Sequence, residues 1–245
     1  MRRKFNQLAV LFVMVCLSCL AVGQVARPQR VQILETGEGF HGDEIKARSG
    51  ERWLGLYVTK GASILIESKL RIRRVVDVVV DEKPGQMTGK AVGVDQPGKP
   101  IFLVKDAPML RPGKVVTIFR ANSEYNQSLG ERKQMSLKLG GQIYQLKVVA
   151  QSRQLGTDTL TDGKLFLIAG KTQQLLRRLG AGHNDPPAAY WELLWAGDLD
   201  GDGKLDLYAD LTGHYNLSQR KLFLSSQAKP GQLVAEVGGF RTSGC

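Results

Sequence analysis

The chain contains 245 residues, of which 42% are hydrophobic and 23% charged, and its formal net charge is +11. This composition is typical of a globular protein and excludes a chain that is disordered throughout. No internal stretch reaches about 18 consecutive apolar residues, which excludes a polytopic membrane protein.

Residues 1–23 have the pattern of a secretory signal peptide. A positive start, an apolar core and small residues before a cleavage point follow one another at 2–4, 8–20 and 21–23. We therefore predict cleavage before Gln24 and export to the periplasm or the extracellular space, with no integral membrane segment left after cleavage. The alternative is a retained anchor, although the apolar run at 8–22 is short for a membrane span.

The cysteines follow from this prediction. Cys16 and Cys19 lie inside the signal, so cleavage leaves Cys245 alone, and one thiol makes no internal disulfide. A lipoprotein cleaved before Cys19 is the minor alternative. Cys245 is either a thiol that bridges to a partner chain or a dispensable tail residue.

After an irregular lead-in at 24–50, the chain alternates between short β-type runs and Gly/Pro turn signals. In the first part, the runs are at 53–58, 64–67, 70–80, 101–105, 115–120, 135–139 and 142–150. Gly140-Gly141 between two alternating runs predicts a hairpin turn. The runs continue at 164–169, 190–195, 205–209 and 221–224; residues 171–179 fit a strand or a short helix, and 232–237 fit a short terminal helix.

This pattern predicts an all-β fold, an antiparallel sandwich or barrel-like sheets with a calcium-binding loop near the C-terminus. The organisation is a basic β-rich part at 51–150 followed by a β-rich part at 151–245, or one continuous domain. Residues 24–150 hold 21 basic and 13 acidic side chains, whereas 151–245 hold ten of each. An anionic partner is therefore expected on the first part.

The most informative segment is residues 198–206, Asp-Leu-Asp-Gly-Asp-Gly-Lys-Leu-Asp. Carboxylates at alternate positions of a tightly curved loop point inward and supply the oxygen ligands that calcium prefers. The predicted ligands are the side chains of Asp198, Asp200, Asp202 and Asp206 and the backbone carbonyl of Lys204. Gly203 permits the turn, and Leu205 is expected to anchor the loop in the core. Four neighbouring carboxylates repel one another, so metal binding and folding should be coupled.

The segment resembles the calcium loops of FG-GAP/VCBS-type repeats and, less closely, those of dockerins and EF-hands. The resemblance implies that Asp198, Asp200, Asp202 and Asp206 are ligands. Ala209 stands where an EF-hand has its bidentate acid, and Leu207-Tyr208 suits a strand, so a β-type loop is favoured. The whole chain is also similar to uncharacterised exported bacterial proteins with an Asp-rich loop followed by His-Tyr-Asn, a similarity that implies no activity.

The histidines His41, His183 and His214 form no zinc-binding spacing, and neither a nucleophile elbow nor a phosphate-binding loop occurs. His214 with Asp210 is a weak catalytic candidate for calcium-assisted hydrolysis. The alternative is a turn histidine that hydrogen-bonds the hairpin. The aromatic residues Tyr190, Trp191, Trp195 and Tyr208 fit either a sugar-stacking platform or core filling.

Lys69, Arg71 and Arg73 alternate with Leu70 and Ile72, so the three cations are expected on one strand face. Such a face fits either a polyanion-binding surface or a solvated edge. The leading interpretation is an exported calcium-binding β-rich protein, a non-catalytic binding or envelope-associated module. The alternatives are the hydrolase and a polyanion-binding protein; the partner classes considered are an anionic envelope component and a polysaccharide.

Overall fold

The computed structural model describes residues 31–59, 62–121, 129, 134–153, 160–179, 191–214 and 216–244. Strands account for 61% of the structure, which confirms the all-β prediction. The predicted signal peptide, His183, Tyr190 and Cys245 lie outside the described residues. Within the described part of the chain, no helix is long and apolar enough to cross a membrane.

The first seven strands are β1 (Val31–Leu34), β2 (Gly37–Phe40), β3 (Arg52–Thr59), β4 (Ala62–Val75), β5 (Gly89–Val94), β6 (Leu103–Lys105) and β7 (Gly113–Arg120). The next four are β8 (Gln134–Leu139), β9 (Gln142–Arg153), β10 (Leu160–Ala169) and β11 (Thr172–Leu179). The last four are β12 (Trp191–Asp198), β13 (Asp206–Leu211), β14 (Leu217–Leu224) and β15 (Ala235–Ser243). A 3-10 turn, Ser225–Gln227, follows β14.

Nine strands close into a barrel in the order β4-β3-β6-β1-β15-β14-β13-β12-β7. Residues 63–65 of β4 pair with residues 113–115 of β7, and this pairing closes the ring. The barrel is mixed because β1 and β15 run parallel. Residues 70–75 of β4 leave the barrel and pair with β5, which pairs with β2; we call these three segments the flap.

The remaining strands form a four-stranded antiparallel sheet in the order β11-β10-β9-β8, which we call the small sheet. Its strands follow the alternating sequence pattern: Met135, Leu137 and Leu139 on β8 are buried and their neighbours are exposed. Residues 140–141 form the turn between β8 and β9 with positive φ angles of 56° and 81°, which confirms the predicted Gly-Gly hairpin.

Two hydrophobic cores share the wall formed by β12 and β13. Trp195 and Tyr208 point into the barrel core, and Trp191 and Leu207 pack in a second core that includes the small sheet. Both faces of β13 are covered, so all six of its residues are buried. Trp191, Trp195 and Tyr208 are each 0% exposed, so they fill the cores and present no ring for a sugar to stack on.

Several predicted boundaries were wrong for non-local reasons. The irregular lead-in at 24–50 contains β1 and β2, which are four residues long and form by pairing with distant strands. The strand predicted at 70–80 is part of β4 and ends at Val75. The boundary at residue 150 falls inside β9, and the barrel joins strands from both predicted parts.

The helix predicted at 232–237 is wrong, because β15 begins at Ala235 and lies between β1 and β14. Gly238 makes the close parallel approach of β1 sterically feasible: a Cβ atom there would lie 2.5 Å from the carbonyl oxygen of Val31. Pairing with distant strands therefore determines the structure of this segment.

Candidate metal centre

The acidic segment forms the connection between β12 and β13. Its turns are organised by side chains that accept hydrogen bonds from the loop's own backbone: Asp198 accepts from the N–H groups of Gly201 at 2.7 Å and Gly203 at 2.9 Å. Asp202 accepts from the Lys204 N–H at 2.8 Å. Gly203 has a φ of 79°, a left-handed conformation that glycine adopts without strain.

The two leucines of the loop anchor it in different cores. Leu199 is 4% exposed and packs in the barrel core, whereas Leu205 is fully buried in the core shared with the small sheet. The burial of Leu205 confirms its predicted anchoring role. With both ends of the loop fixed, the positions of the carboxylates between them are restricted before any ion binds.

Three of the predicted ligand side chains converge. One carboxylate oxygen each from Asp198, Asp200 and Asp206 lies within 4.8 Å of the other two. Calcium binds oxygens at about 2.3–2.6 Å, so oxygens on opposite sides of one ion are up to roughly 5 Å apart. The three carboxylates are therefore close enough to share a single cation. Asp198 and Asp206 are buried and Asp200 is half-buried, so solvent reaches this cluster from the Asp200 side.

Asp206 is the deepest member of the cluster. It accepts hydrogen bonds from the backbone N–H groups of Leu199 and Ser225, each at 2.7 Å. Burial nevertheless raises the pKa of Asp206 to about 7, and the charge of Asp200 adds to the increase. A negative charge on Asp206 is thus unfavourable with the protein groups alone, and a divalent cation would compensate it.

Two serines that the sequence analysis missed contact the acidic loop. Ser225 Oγ lies 3.0 Å from both carboxylate oxygens of Asp202 and 3.0 Å from Asp206 Oδ1, and the Ser226 hydroxyl donates to Asp200 Oδ2. Both belong to the 3-10 turn after β14. No local motif marks a Ser-Ser pair this far along the chain as part of the site, so only the tertiary structure reveals it.

The remaining predicted ligands have different surroundings. Asp202 and Lys204 are exposed, and Asp202 is engaged by Ser225 and by the Lys204 N–H. Neither belongs to the converging group of three carboxylates. Coordination by Asp202 and by the Lys204 carbonyl stays a prediction.

The small sheet contacts the loop from its other side. Tyr144 on β9 is buried, which raises the pKa of its hydroxyl, and the backbone of Leu205 is close enough to oppose this effect. At the tip of the β8–β9 hairpin, a Cβ atom on Gly140 would lie only 3.1 Å from the carbonyl oxygen of Gly203. The acidic loop is therefore packed between the barrel and the small sheet, and its conformation affects how the two join.

No family model matches the chain, and comparisons with curated proteins and with solved structures give no significant match. The fold and the site define a closed mixed barrel with an added antiparallel sheet and an acidic, cation-sized cluster at their junction. The resemblance of residues 198–206 to FG-GAP/VCBS-type loops stays a prediction.

The weak catalytic candidates occupy a different environment from the one expected of an acid/base pair. Asp210 Oδ1 accepts from the N–H groups of Thr212 and Gln219, and its Oδ2 pairs with Arg220 at 2.6 Å. The ring of His214 contacts the Asn216 side chain, and the backbone N–H of His214 donates to Thr212 Oγ1 at 3.2 Å. With both oxygens of Asp210 engaged elsewhere, these contacts favour a turn histidine and a structural aspartate.

Arg220 lies among one buried and two half-buried acids on the barrel wall, Asp210, Glu35 and Glu192. Its guanidinium lies 3.1 Å from Glu35, and Tyr208 donates a hydrogen bond to the same Glu35 oxygen at 2.7 Å. Burial raises the pKa of Glu192, an effect that the nearby Arg220 opposes. Arg220 thus compensates negative charge that would otherwise be buried without a cation.

The basic residues of β4 lie where the alternation places them. Lys69, Arg71 and Arg73 are exposed, whereas Leu70 is buried and Ile72 is half-buried against the barrel core. Arg73 pairs with Glu38 of β2 at 2.9 Å. Arg71 and Arg73 therefore belong to the outer face of the flap, and Lys69 lies next to it.

Proposed function

We propose that this chain is an exported calcium-binding protein in which one structural ion stabilises the junction of the barrel and the small sheet, and that it acts as a non-catalytic binding or envelope-associated module. One observation carries the proposal: oxygens of Asp198, Asp200 and Asp206 meet within 4.8 Å in a loop that is anchored at both ends.

Calcium suits this cluster better than magnesium. Three carboxylates from one short loop supply several oxygens to a cation that accepts six to eight in flexible geometry, whereas magnesium prefers few carboxylates and retains its waters. The exposed Asp202 carboxylate and the Lys204 carbonyl are further oxygens available on the same loop.

A structural role is favoured over a catalytic one by burial. Asp198 is 8% and Asp206 0% exposed, so most of the coordination sphere would face the protein. A catalytic metal keeps an open position for substrate. The loop also contacts Tyr144 and the β8–β9 hairpin, so an ion that fixes the loop would stabilise two sheets together.

Export rests on residues 1–23, where a positive start, an apolar core and small residues occur in the order of a signal peptide. Export is consistent with a single predicted calcium site. Extracellular calcium modules bind the ion with modest affinity, which is sufficient where calcium is plentiful. Detection of a mature chain that begins at Gln24 would support this part of the proposal.

Thermal unfolding with and without calcium tests the binding proposal. At a calcium concentration of about 100 times Kd, binding stabilises the folded state by about 2.7 kcal/mol, which corresponds to an increase in Tm of roughly 5–10 °C for a chain of this size. Asp200→Asn should abolish this increase, because it removes one charged ligand while its half-buried position limits damage to the fold.

Asp162→Asn is the matched control, because Asp162-Gly163-Lys164 repeats the Asp202-Gly203-Lys204 triplet outside the acidic loop. This variant should keep the full response to calcium. A wild-type Tm that calcium leaves unchanged, or an Asp200→Asn variant that responds like the wild type, would contradict the proposal.

A further inference from the structure

The loop between β4 and β5 exposes an unusual amount of apolar surface. Val78 is 91% exposed, and Val76, Val79, Val80 and Met87 are each about half exposed. These five residues, which we call the valine tip, make up more than half of the large hydrophobic side chains that are exposed in the described part of the chain. Apolar patches of this kind on a folded protein commonly mark an interaction surface.

The valine tip is held in place by a hydrogen-bonded turn. The carbonyl of Asp77 accepts from the N–H groups of Val80 at 3.2 Å and Asp81 at 2.8 Å, and Asp77 Oδ1 accepts from the Val79 N–H at 3.1 Å. Asp77 is only 3% exposed, and its other carboxylate oxygen lies 2.6 Å from His41 Nδ1. The valines therefore project from a preformed turn, so little conformational entropy is lost when a partner covers them.

Exposed cations flank the tip. Arg71, Arg73 and Arg74 lie near the end of β4, just before the loop; Lys83 lies within the loop, and Lys69 lies further back on β4. All five are exposed. Among the nearby acids, Asp77 and Asp81 direct their carboxylates to His41, Thr88 and backbone N–H groups of the loop.

Four exposed acids lie in this region, Glu38, Asp43, Glu82 and Asp95, and Glu38 is paired with Arg73. Five exposed cations against four exposed acids leave this region with a positive surplus of one, and within the described residues four of the five cations make no ion pair. That surplus complements an anionic partner rather than a neutral one.

We propose that the valine tip docks this protein on an anionic lipid surface, with the valines entering the boundary between headgroups and acyl chains and the β4 cations contacting the headgroups. The apolar tip comes first and the cations lie behind it on the same strands. A bilayer has the matching order, because its acyl region lies beneath a charged headgroup surface. This inference is independent of the calcium loop.

Co-sedimentation of the purified protein with lipid vesicles tests the proposal. We expect binding to vesicles of phosphatidylglycerol and phosphatidylcholine, weaker binding at high salt, and little binding to phosphatidylcholine alone. Val78→Asp should weaken binding by roughly tenfold or more, because it places a charge in the lipid boundary and repels the anionic surface. Arg71→Glu should weaken binding and also reduce its dependence on salt.

Val149→Asp is the matched control, since Val149 is an exposed valine on the small sheet and Lys164 lies opposite it. It should bind vesicles like the wild type, and all three variants should retain the wild-type Tm within a few degrees. Binding that Val78→Asp leaves intact, equal binding to neutral vesicles, or no binding to either vesicle would overturn the proposal. If Val78→Asp instead abolished self-association measured without lipid, the tip would be a protein contact and the lipid assignment would fail.

Discussion

Asp206→Ala is expected to lower the free energy of unfolding by about 3–5 kcal/mol in calcium-saturated buffer. The variant loses the acceptor of three hydrogen-bond donors, the N–H groups of Leu199 and Ser225 and the Ser225 hydroxyl, two of which are backbone groups in buried surroundings. A buried donor without a partner costs about 1–3 kcal/mol. The variant also loses a carboxylate that we assign to the calcium ion.

Chemical unfolding in calcium and in chelator separates these two contributions. Asp206→Asn is the informative companion, because it retains one acceptor oxygen but carries no charge. In chelator it should be destabilised by about 1–3 kcal/mol, because its amide NH2 group leaves either the Leu199 or the Ser225 N–H without an acceptor, and it should fail to gain stability from calcium. If Asp206→Ala were equally destabilised in both buffers, Asp206 would be a purely structural acceptor and not a ligand.

Arg220→Met is expected to destabilise the protein by about 3–5 kcal/mol, the cost of removing one partner from a buried ion pair. Arg220 contacts Asp210 at 2.6 Å and Glu35 at 3.1 Å, and it also interacts electrostatically with the half-buried Glu192. Without the guanidinium, these acids lose their cation on the barrel wall. Methionine retains much of the packing of the arginine side chain. The loss of stability therefore measures the contribution of the guanidinium charge and its hydrogen bonds.

Urea unfolding at constant pH measures this effect, with Arg74→Met as the control. Arg74 is exposed, so the same substitution there should change stability by less than about 0.5 kcal/mol. An Arg220→Met variant as stable as the control would show that the ion pairs contribute little. It would also favour the alternative in which Asp210 acts with His214 as a catalytic acid/base pair.

The features that the sequence predicted correctly are local ones. The Gly140-Gly141 hairpin follows from two adjacent residues, and the exposure of Lys69, Arg71 and Arg73 follows from strand alternation. The position of the acidic loop between two strands also follows from its own spacing. In each case, a few neighbouring residues determine the conformation.

The features that the sequence did not predict depend on distant residues. The barrel contains the parallel pairing of β1 with β15 from opposite ends of the described chain, and Gly238 permits this close approach. Ser225 joins the acidic cluster, and Arg220 engages Asp210, only once β14 lies beside β13. Such contacts leave no periodic pattern within a short window of sequence.

The excess of basic residues in the first half of the chain and the acidic cluster in the second half lie at different places in the structure. The division at residue 150 is not structural, because the barrel combines strands from both halves. The cations of the first half include the row on β4 beside the valine tip, and the acids of the second half include the loop between β12 and β13. The proposed anionic partner and the proposed cation therefore belong to separate sites.

A crystal structure determined with calcium and analysed by anomalous scattering tests the central claim most directly. We predict one calcium ion at the β12–β13 loop, coordinated by Asp198, Asp200 and Asp206 with metal–oxygen distances of about 2.3–2.6 Å. An anomalous map with no peak at this loop, or with an ion bound only elsewhere, would contradict the claim.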